Sequence, residues 1–403
     1  MKKKRRICIW LLVITVLVCG CVKPQKSISE SSTADKGTEK TTEAASTQPT
    51  EEKFVPTEID LIAVGDVLLH DNVSNSGKME DGTYNYDHLF KNVKEDVKAA
   101  DIAMVNQEVI LGGTELGLSG YPTFNGAFEV GDALYEAGFN VILHATNHTL
   151  DKGKKGVLNC MNYWKTTHPD VAVLGINESE EAQENSIYVY KKGDIRVAVL
   201  NYTYGTNGIP LPSDMPYIVN LLDEEKMAKD IAKAKEISDF VVVAPHWGIE
   251  YTHKPSDSEK YYADFFLKQG VDLVIGTHPH VIQPVEMLED AATGHKMLVY
   301  YSLGNFINST ADSGRGTADR MVGAMAKVTI TNDEEGNVFI KEYGVEPLVT
   351  QMLFGRGEIT TYKLSDYTKE LADNNGIRQR DSVFSLEWCQ ELCKEVFGEL
   401  YVQ

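Results

Sequence analysis

Beyond residue 18 the chain has no apolar run long enough to cross a bilayer, few cysteines, no internal repeat and a shortage of positive charge. Lys and Arg number 39 against 59 Asp and Glu, a net charge of −20. A field of that sign disfavours nonspecific binding to nucleic acid or to anionic lipid, so no nucleic-acid partner is expected. Of the six cysteines, Cys8, Cys19 and Cys21 fall within the first 21 residues, which leaves Cys160, Cys389 and Cys393 for the rest. Three thiols do not make a disulfide framework. Cys389 and Cys393 stand four apart in a helical pattern; they read either as a bridge or metal pair, or as two small buried apolar residues on one helix face.

What is present begins at the N-terminus. Lys2-Lys3-Lys4-Arg5-Arg6 precedes an apolar stretch over 7–18 that ends in Cys19-Gly20-Cys21, the order of a secretory signal peptide. Val18-Cys19-Gly20-Cys21 resembles a bacterial lipobox, which makes Cys21 the expected lipidation site and the membrane a partner through that anchor; an uncleaved anchor or an ordinary signal peptide is the alternative. Residues 22–53 are rich in Ser, Thr, Glu and Lys and almost free of large apolar side chains, so they cannot bury enough surface to offset chain entropy. The expected organisation is a leader over 1–21, a tether over 22–53, a folded domain over 54–350 and a C-terminal extension over 351–403 packing on it. The expected location is extracytoplasmic, lipid-anchored to a bacterial cell membrane.

From residue 58 onward, short β-branched runs alternate with helical stretches, which predicts an α/β fold. Strands are expected over 59–64, 102–105, 141–144, 171–174, 195–202, 240–244, 273–276 and 297–301, with two more over 324–330 and 337–348 around a turn at 332–336. Helices are expected over 86–99, 223–237 and 386–397, and from an N-cap at Ser256 to a stop at Gly270. Polar residues gather just after the strands: Asp66, Asn106 and Glu108, Asn147 and His148, His246, then His278 and His280. Loops beyond the carboxyl ends of strands in an α/β sheet converge on one crevice, so these residues are expected to share a site.

Carboxylate and amide oxygens mixed with imidazole nitrogens suit Mn, Fe or Zn better than calcium, and one or two divalent ions are expected. A lone histidine is more often a satisfied structural residue, and His278-Pro279-His280 taken alone reads equally well either way. Three histidine elements with two carboxylates, all at strand ends, favour a metal.

The segments Gly65-Asp66-Val67, Val105-Asn106-Gln107-Glu108, Tyr121-Pro122-Thr123-Phe124, Ala137-Gly138-Phe139-Asn140 and Thr146-Asn147-His148-Thr149-Leu150-Asp151 with Gly153 and Gly156 together form a pattern. It continues in His246-Trp247-Gly248, Gly276-Thr277-His278-Pro279-His280 and Ser302-Leu303-Gly304-Asn305-Phe306. The set resembles the capsule synthesis protein CapA family, associated with poly-γ-glutamate capsule production and part of the metallophosphatase-like superfamily, over residues 58–308. The resemblance implies a calcineurin-like metallophosphatase fold, a four-layer α-β-β-α sandwich. It implies that Glu108 bridges two metals, that Asn147, His246 and His278 complete one site, and that Asp66 and His280 hold the other. It gives His148 the task of protonating the leaving group or steadying transition-state charge. One departure stands out: the superfamily usually places a histidine two residues after its first aspartate, and here that position is Leu68. His70 is the alternative ligand, or an ordinary loop residue.

Other residues keep two readings. Asp151 either orients His148 or bonds the helix that follows it. Asn106, Trp247 and Asn305 are candidate substrate contacts, with a cleft-wall role for Trp247 and a turn role for Asn305 as the alternatives. Glu250 and Tyr251 are read as supporting residues at most. Three functions follow in order: a metal-dependent hydrolase of the cell envelope acting on an anionic polymer or phosphoester; a non-catalytic factor that guides an anionic polymer, with a polymer synthase complex as partner; and a lipid-anchored solute-binding protein.

Overall fold

The computed structural model describes residues 54–353 and 358–401. The leader, the lipobox with Cys21 and the tether lie outside them. The β-branched runs form the strands β1 (Glu58–Val67), β2 (Ile102–Asn106), β3 (Val141–Leu143), β4 (Ala172–Leu174), β5 (Tyr188–Lys192), β6 (Ile195–Thr203) and β7 (Phe240–His246). They continue as β8 (Leu273–Ile275), β9 (Val285–Glu289), β10 (Lys296–Tyr300), β11 (Asn305–Ile307), β12 (Val322–Asn332), β13 (Val338–Leu353) and β14 (Glu358–Lys363). One sheet has the order β14-β13-β12-β1-β2-β3-β4, with β11 also pairing β1; the other is β5-β6-β7-β8-β10-β9. Within the first, β1 to β4 are mutually parallel and β12 to β14 antiparallel.

Side-chain alternation sorts the second sheet into two faces. Val197, Val199, Val242, Leu273 and Leu298 enter a core shared with the first sheet. Their neighbours Ala198, Leu200, Val243, Val274 and Val299 enter a separate cluster with Met227 and Ile231 of helix Glu224–Ile237 and Phe266 of helix Asp257–Gln269. Each fully buried Val, Leu or Ile contributes roughly 1.5–3 kcal/mol relative to exposure, so both faces hold. Helices Phe128–Ala137 and Gly153–Thr167 bury Val130, Leu134, Val157 and Trp164 in the same core as β1–β3. Helix, sheet, sheet and helix make the expected four-layer α/β sandwich. Hydrogen bonds tie the two sheets together, among them Tyr300 Oη donating to the Gly344 carbonyl at 2.9 Å and the Ala145 amide donating to Asn201 Oδ1 at 2.8 Å.

Ser256 caps its helix as the spacing predicts, with Glu259 completing a capping box and Gly270 ending it in the left-handed region. The expected helix over 86–99 is instead a 3-10 turn at Asp87–Leu89 and a short helix Lys94–Ala99. Asn92, between them, donates its side chain to the Thr361 carbonyl at 2.9 Å in β14, a long-range tie at the point where the helical pattern breaks. β13 runs through residue 350, and β14 pairs with it at the sheet edge. No helix among the described residues is long and apolar enough to cross a membrane.

Glycine is required where β11 meets β1. A Cβ on Gly65 would lie 1.8 Å from the Gly304 carbonyl oxygen, and the Asp66 amide donates to that same oxygen at 3.0 Å. The contact sets Asp66 opposite Asn305 in register.

Candidate metal centre

The carboxyl ends of β1, β2 and β7 and the turns after β3 and β8 meet at one edge of the sandwich. Asp66 and Glu108 are buried there with Asn147, His246, His278 and His280. Asp66 accepts from Asn106 Nδ2 at 2.8 Å through one oxygen, and through the other from His280 Nδ1 at 3.0 Å and the His278 amide at 3.3 Å. Glu108 Oε1 sits between His246 Nε2 at 3.8 Å and His280 Nε2 at 3.7 Å. Asn147 Oδ1 accepts from His246 Nε2 at 2.9 Å.

Two features show that this cluster fits a cation. Both carboxylate oxygens of Glu108 and Nδ1 of His278 are buried with no hydrogen-bond partner, a costly arrangement unless something else satisfies them. Glu108, His278 and His280 also form the one group of three among the described residues whose ligand atoms lie within 4.8 Å of each other. Three donors this close suffice for a single ion. Asp66, His246 and Asn147 flank it.

The electrostatics agree. Burial pushes the Glu108 carboxyl well up, with Asp66 adding to the effect and His280 opposing it. Burial and neighbouring imidazoles hold His246 and His278 well below the ordinary histidine range. Burial would depress His280 as well, but Glu108 and Asp66 outweigh it and raise the group to about 9. The pocket therefore disfavours uncompensated negative charge and rewards a positive charge between the carboxylates.

His148 Nδ1 donates to Asp151 Oδ2 at 2.7 Å, and that oxygen also accepts from the Phe124 amide at 2.7 Å. Asp151 thus bonds His148 and the 121–124 loop, while the helix that follows has no side-chain cap. His148 and Asn147 open onto a cleft of about 680 Å³, bounded also by His70, Tyr251 and Arg320. His70 borders this cleft packed edge-on against Phe124, and burial together with His280 lowers it to about 4. Leu68 is buried, its amide donating to the Ile307 carbonyl at 2.9 Å.

Three expected substrate contacts are placed elsewhere. Trp247 follows inward-facing His246 by one residue, so the strand alternation turns it outward; its indole donates to the Tyr301 carbonyl at 2.9 Å and packs on Phe266. Asn106 is fully buried, bonded to Asp66 and 3.3 Å from His246 Nδ1. Asn305 Oδ1 accepts from His280 Nδ1 at 3.1 Å, and its amide donates to the carbonyls of His280 and Arg320. Both asparagines bond the clustered side chains rather than facing the cleft.

Sequence reasoning missed Tyr204, Asn207, Thr277 and Arg320. Tyr204 packs its ring 4.7 Å from His278, and Thr277 Oγ1 lies 3.0 Å from His246 Nδ1. Tyr204 and Asn207 follow β6 at the same sheet edge, so the strand-end rule could have found them; Arg320, in the 3-10 turn Ala318–Met321, has no such signal. Among the described residues, the non-glycine positions with positive φ are Asn207 (50°), Tyr251 (63°), His278 (101°) and His280 (59°), all at this site. Such strain costs about 1–3 kcal/mol per residue and gathers where geometry must be held for chemistry.

Residues 60–310 match the model of a family described as bacterial capsule synthesis protein PGA_cap. Capsule biosynthesis protein CapA of Bacillus anthracis is 33% identical over 180 residues, 43% of this chain and 41% of that one. PGA biosynthesis protein CapA of Bacillus subtilis (strain 168) is 29% identical over 175 residues, 43% of this chain and 44% of that one. The alignments thus span about two-fifths of the length of these curated relatives. Among solved structures, the NAD nucleotidase of Haemophilus influenzae superposes with a TM-score of 0.46 at 10% identity, covering 87% of this chain and 65% of that one.

Proposed function

The chain belongs to the bacterial capsule synthesis protein PGA_cap family, and from that premise we propose that it is a metal-dependent hydrolase of the cell envelope serving capsule or poly-γ-glutamate synthesis. The observation that carries the reading is the orphaned Glu108 carboxylate, buried between His246 and His280 with neither oxygen bonded. Asp66, Glu108, Asn147, His246, His278 and His280 are the side chains that would hold one or two divalent ions, of the Mn, Fe or Zn kind. A bound ion there supplies Lewis-acid polarisation of an oxygen. The protein's own part is positioning and proton delivery. Asp151 engages Nδ1 of His148 and thereby fixes the ring, which leaves Nε2 as the atom that hands a proton to the departing group. Asn106 and Asn305 hold Asp66 and His280 in place. The substrate is an anionic polymer or a phosphoester, and the protein is tethered outside the membrane through a lipid on Cys21; the mass of the N-terminal peptide from cells decides the anchor.

The test is to strip the full chain of metal, return Mn, and assay an aryl phosphate beside a γ-glutamyl polymer. Activity should require the metal and fall by roughly 10²–10⁴-fold in His148→Ala; full activity in that variant would remove the proposed proton donor. A second reading is favoured by one observation, the buried apolar Leu68 where a ligand histidine is usual. In that reading the domain guides an anionic polymer to a synthase complex without cutting it. Metal bound with no turnover of either substrate would support it.

A further inference from the structure

Among the described residues that line the cleft, Arg320 carries the one fixed positive charge. Its guanidinium lies over the Tyr251 ring, 3.7 Å from the centroid. Nη1 donates to Asp312 Oδ2 at 2.6 Å, while Nε is buried without a partner. The Arg320 side chain is 16% exposed, whereas that of Asp312 is 66% exposed.

The placement of this pair is built into the metal centre. Tyr251, with φ at 63°, donates its backbone N–H at 2.8 Å to the carbonyl of Pro279, the residue between His278 and His280. Its ring centroid stands 5.9 Å from that of His280. The Arg320 carbonyl accepts from Asn305, the same side chain that bonds His280. Backbone and side chain of Arg320 are thus each one step from a candidate ligand, by independent routes. A cation–π platform fixes the plane of the guanidinium, and a planar fork pre-set in that way suits two-point recognition of an oxyanion. Asp312 is well exposed on the cleft rim, so its carboxylate is the cheaper partner to displace.

We propose that Arg320, stacked on Tyr251, is a specificity-determining residue that binds a second anionic group of the substrate, a carboxylate or phosphate displaced by about one aromatic ring from the metal centre. This rests on the reading of the cleft as the substrate site. It goes beyond it by requiring a substrate with an oxyanion apart from the bond that is cut. The free α-carboxylate that each residue of a γ-linked glutamate chain carries and a neighbouring phosphate both supply that chemistry.

Calorimetric titration of the chelator-treated full chain with a γ-linked glutamate pentamer, and separately with inorganic phosphate, tests it without relying on turnover. Arg320→Gln should raise the Kd of at least one probe about tenfold, the loss of one charge-assisted contact. Asp312→Asn, which removes the competing carboxylate, should lower the same Kd two- to threefold. A shift confined to the pentamer assigns a carboxylate, and one confined to phosphate assigns a phosphate. Kd values unmoved in both variants, or no binding of either probe to the wild type, would overturn the proposal. Because no activity or metal is involved, a failed His148 experiment would leave this result readable.

Discussion

Two halves of the large sheet differ in what they bring to the cleft. The parallel strands β1, β2 and β3 run to ten, five and three residues, and their ends and following turns supply Asp66, Glu108 and Asn147. The antiparallel strands β12 and β13 run to eleven and sixteen residues and supply no candidate ligand among the described residues. Strand length and ladder hydrogen bonds therefore do not predict where chemistry collects. Direction does: parallel strands end on one side, so every loop after them faces the same crevice, whereas antiparallel strands alternate ends and serve as a frame.

The junction of the two arrangements offers the largest perturbation. Gly65 sits near the end of β1, where the chain before β11 approaches so closely that a methyl group would overlap the Gly304 carbonyl at 1.8 Å. Backbone cannot swing away as a flexible side chain can. Gly65→Ala should destabilise the protein by about 3 kcal/mol or more, read as a fall in the urea midpoint, and should weaken metal binding because Asp66 and Asn305 lose their register. An unchanged midpoint would mean that β11 is not fixed against β1 and that their close approach contributes little to the fold.

The same contrast explains what was legible in the sequence. The helix from Ser256 to Gly270 carries its own start and stop signals, so local chemistry sufficed. The interrupted stretch at 86–99 has a helical apolar pattern, but Asn92 is claimed by β14, some 269 residues away. No local rule contains that partner. In the site, the clustering of Asp66, Glu108, Asn147, His246, His278 and His280 could be read because each follows an apolar run at a strand end. Their supporting residues were misassigned for a geometric reason: Asn106, Trp247 and Asn305 stand beside ligands in sequence, and register alone decides whether a side chain faces the cleft, a ligand or the outer core. Arg320 was invisible because its position depends on a turn entering β12 and on a tyrosine about seventy residues earlier.

A middle-sized effect is expected where the parallel half supports its ligands. Asn106→Leu keeps the number of side-chain heavy atoms while removing the bond to Asp66 Oδ1 and the contact with His246. Loss of such outer supports typically lowers metal affinity by about 10- to 100-fold, and that is the expected change in competition with a chelating dye. Circular dichroism should stay close to wild type, since the residue lies at the strand end rather than within it. Wild-type affinity would show that burial alone, and not Asn106, holds Asp66 in place.

The smallest effect belongs to the antiparallel half and is as informative as the largest. Lys341 Nζ on β13 pairs with Glu58 Oε1 at the start of β1 at 2.6 Å, with both side chains about half exposed, 49% and 44%. In water, such a pair gains little Coulomb energy, orders two long side chains and is screened by salt within about 8 Å at physiological ionic strength. Lys341→Ala should therefore leave the urea midpoint, the metal affinity and the activity within error of wild type at 0.15 M salt. The short ion-pair distance and the long strand that carries it would both suggest otherwise if contacts were simply counted. A clear loss of metal affinity in this variant would mean that the frame transmits strain to the ligand loops, and the division of labour between parallel and antiparallel strands would then have to be given up.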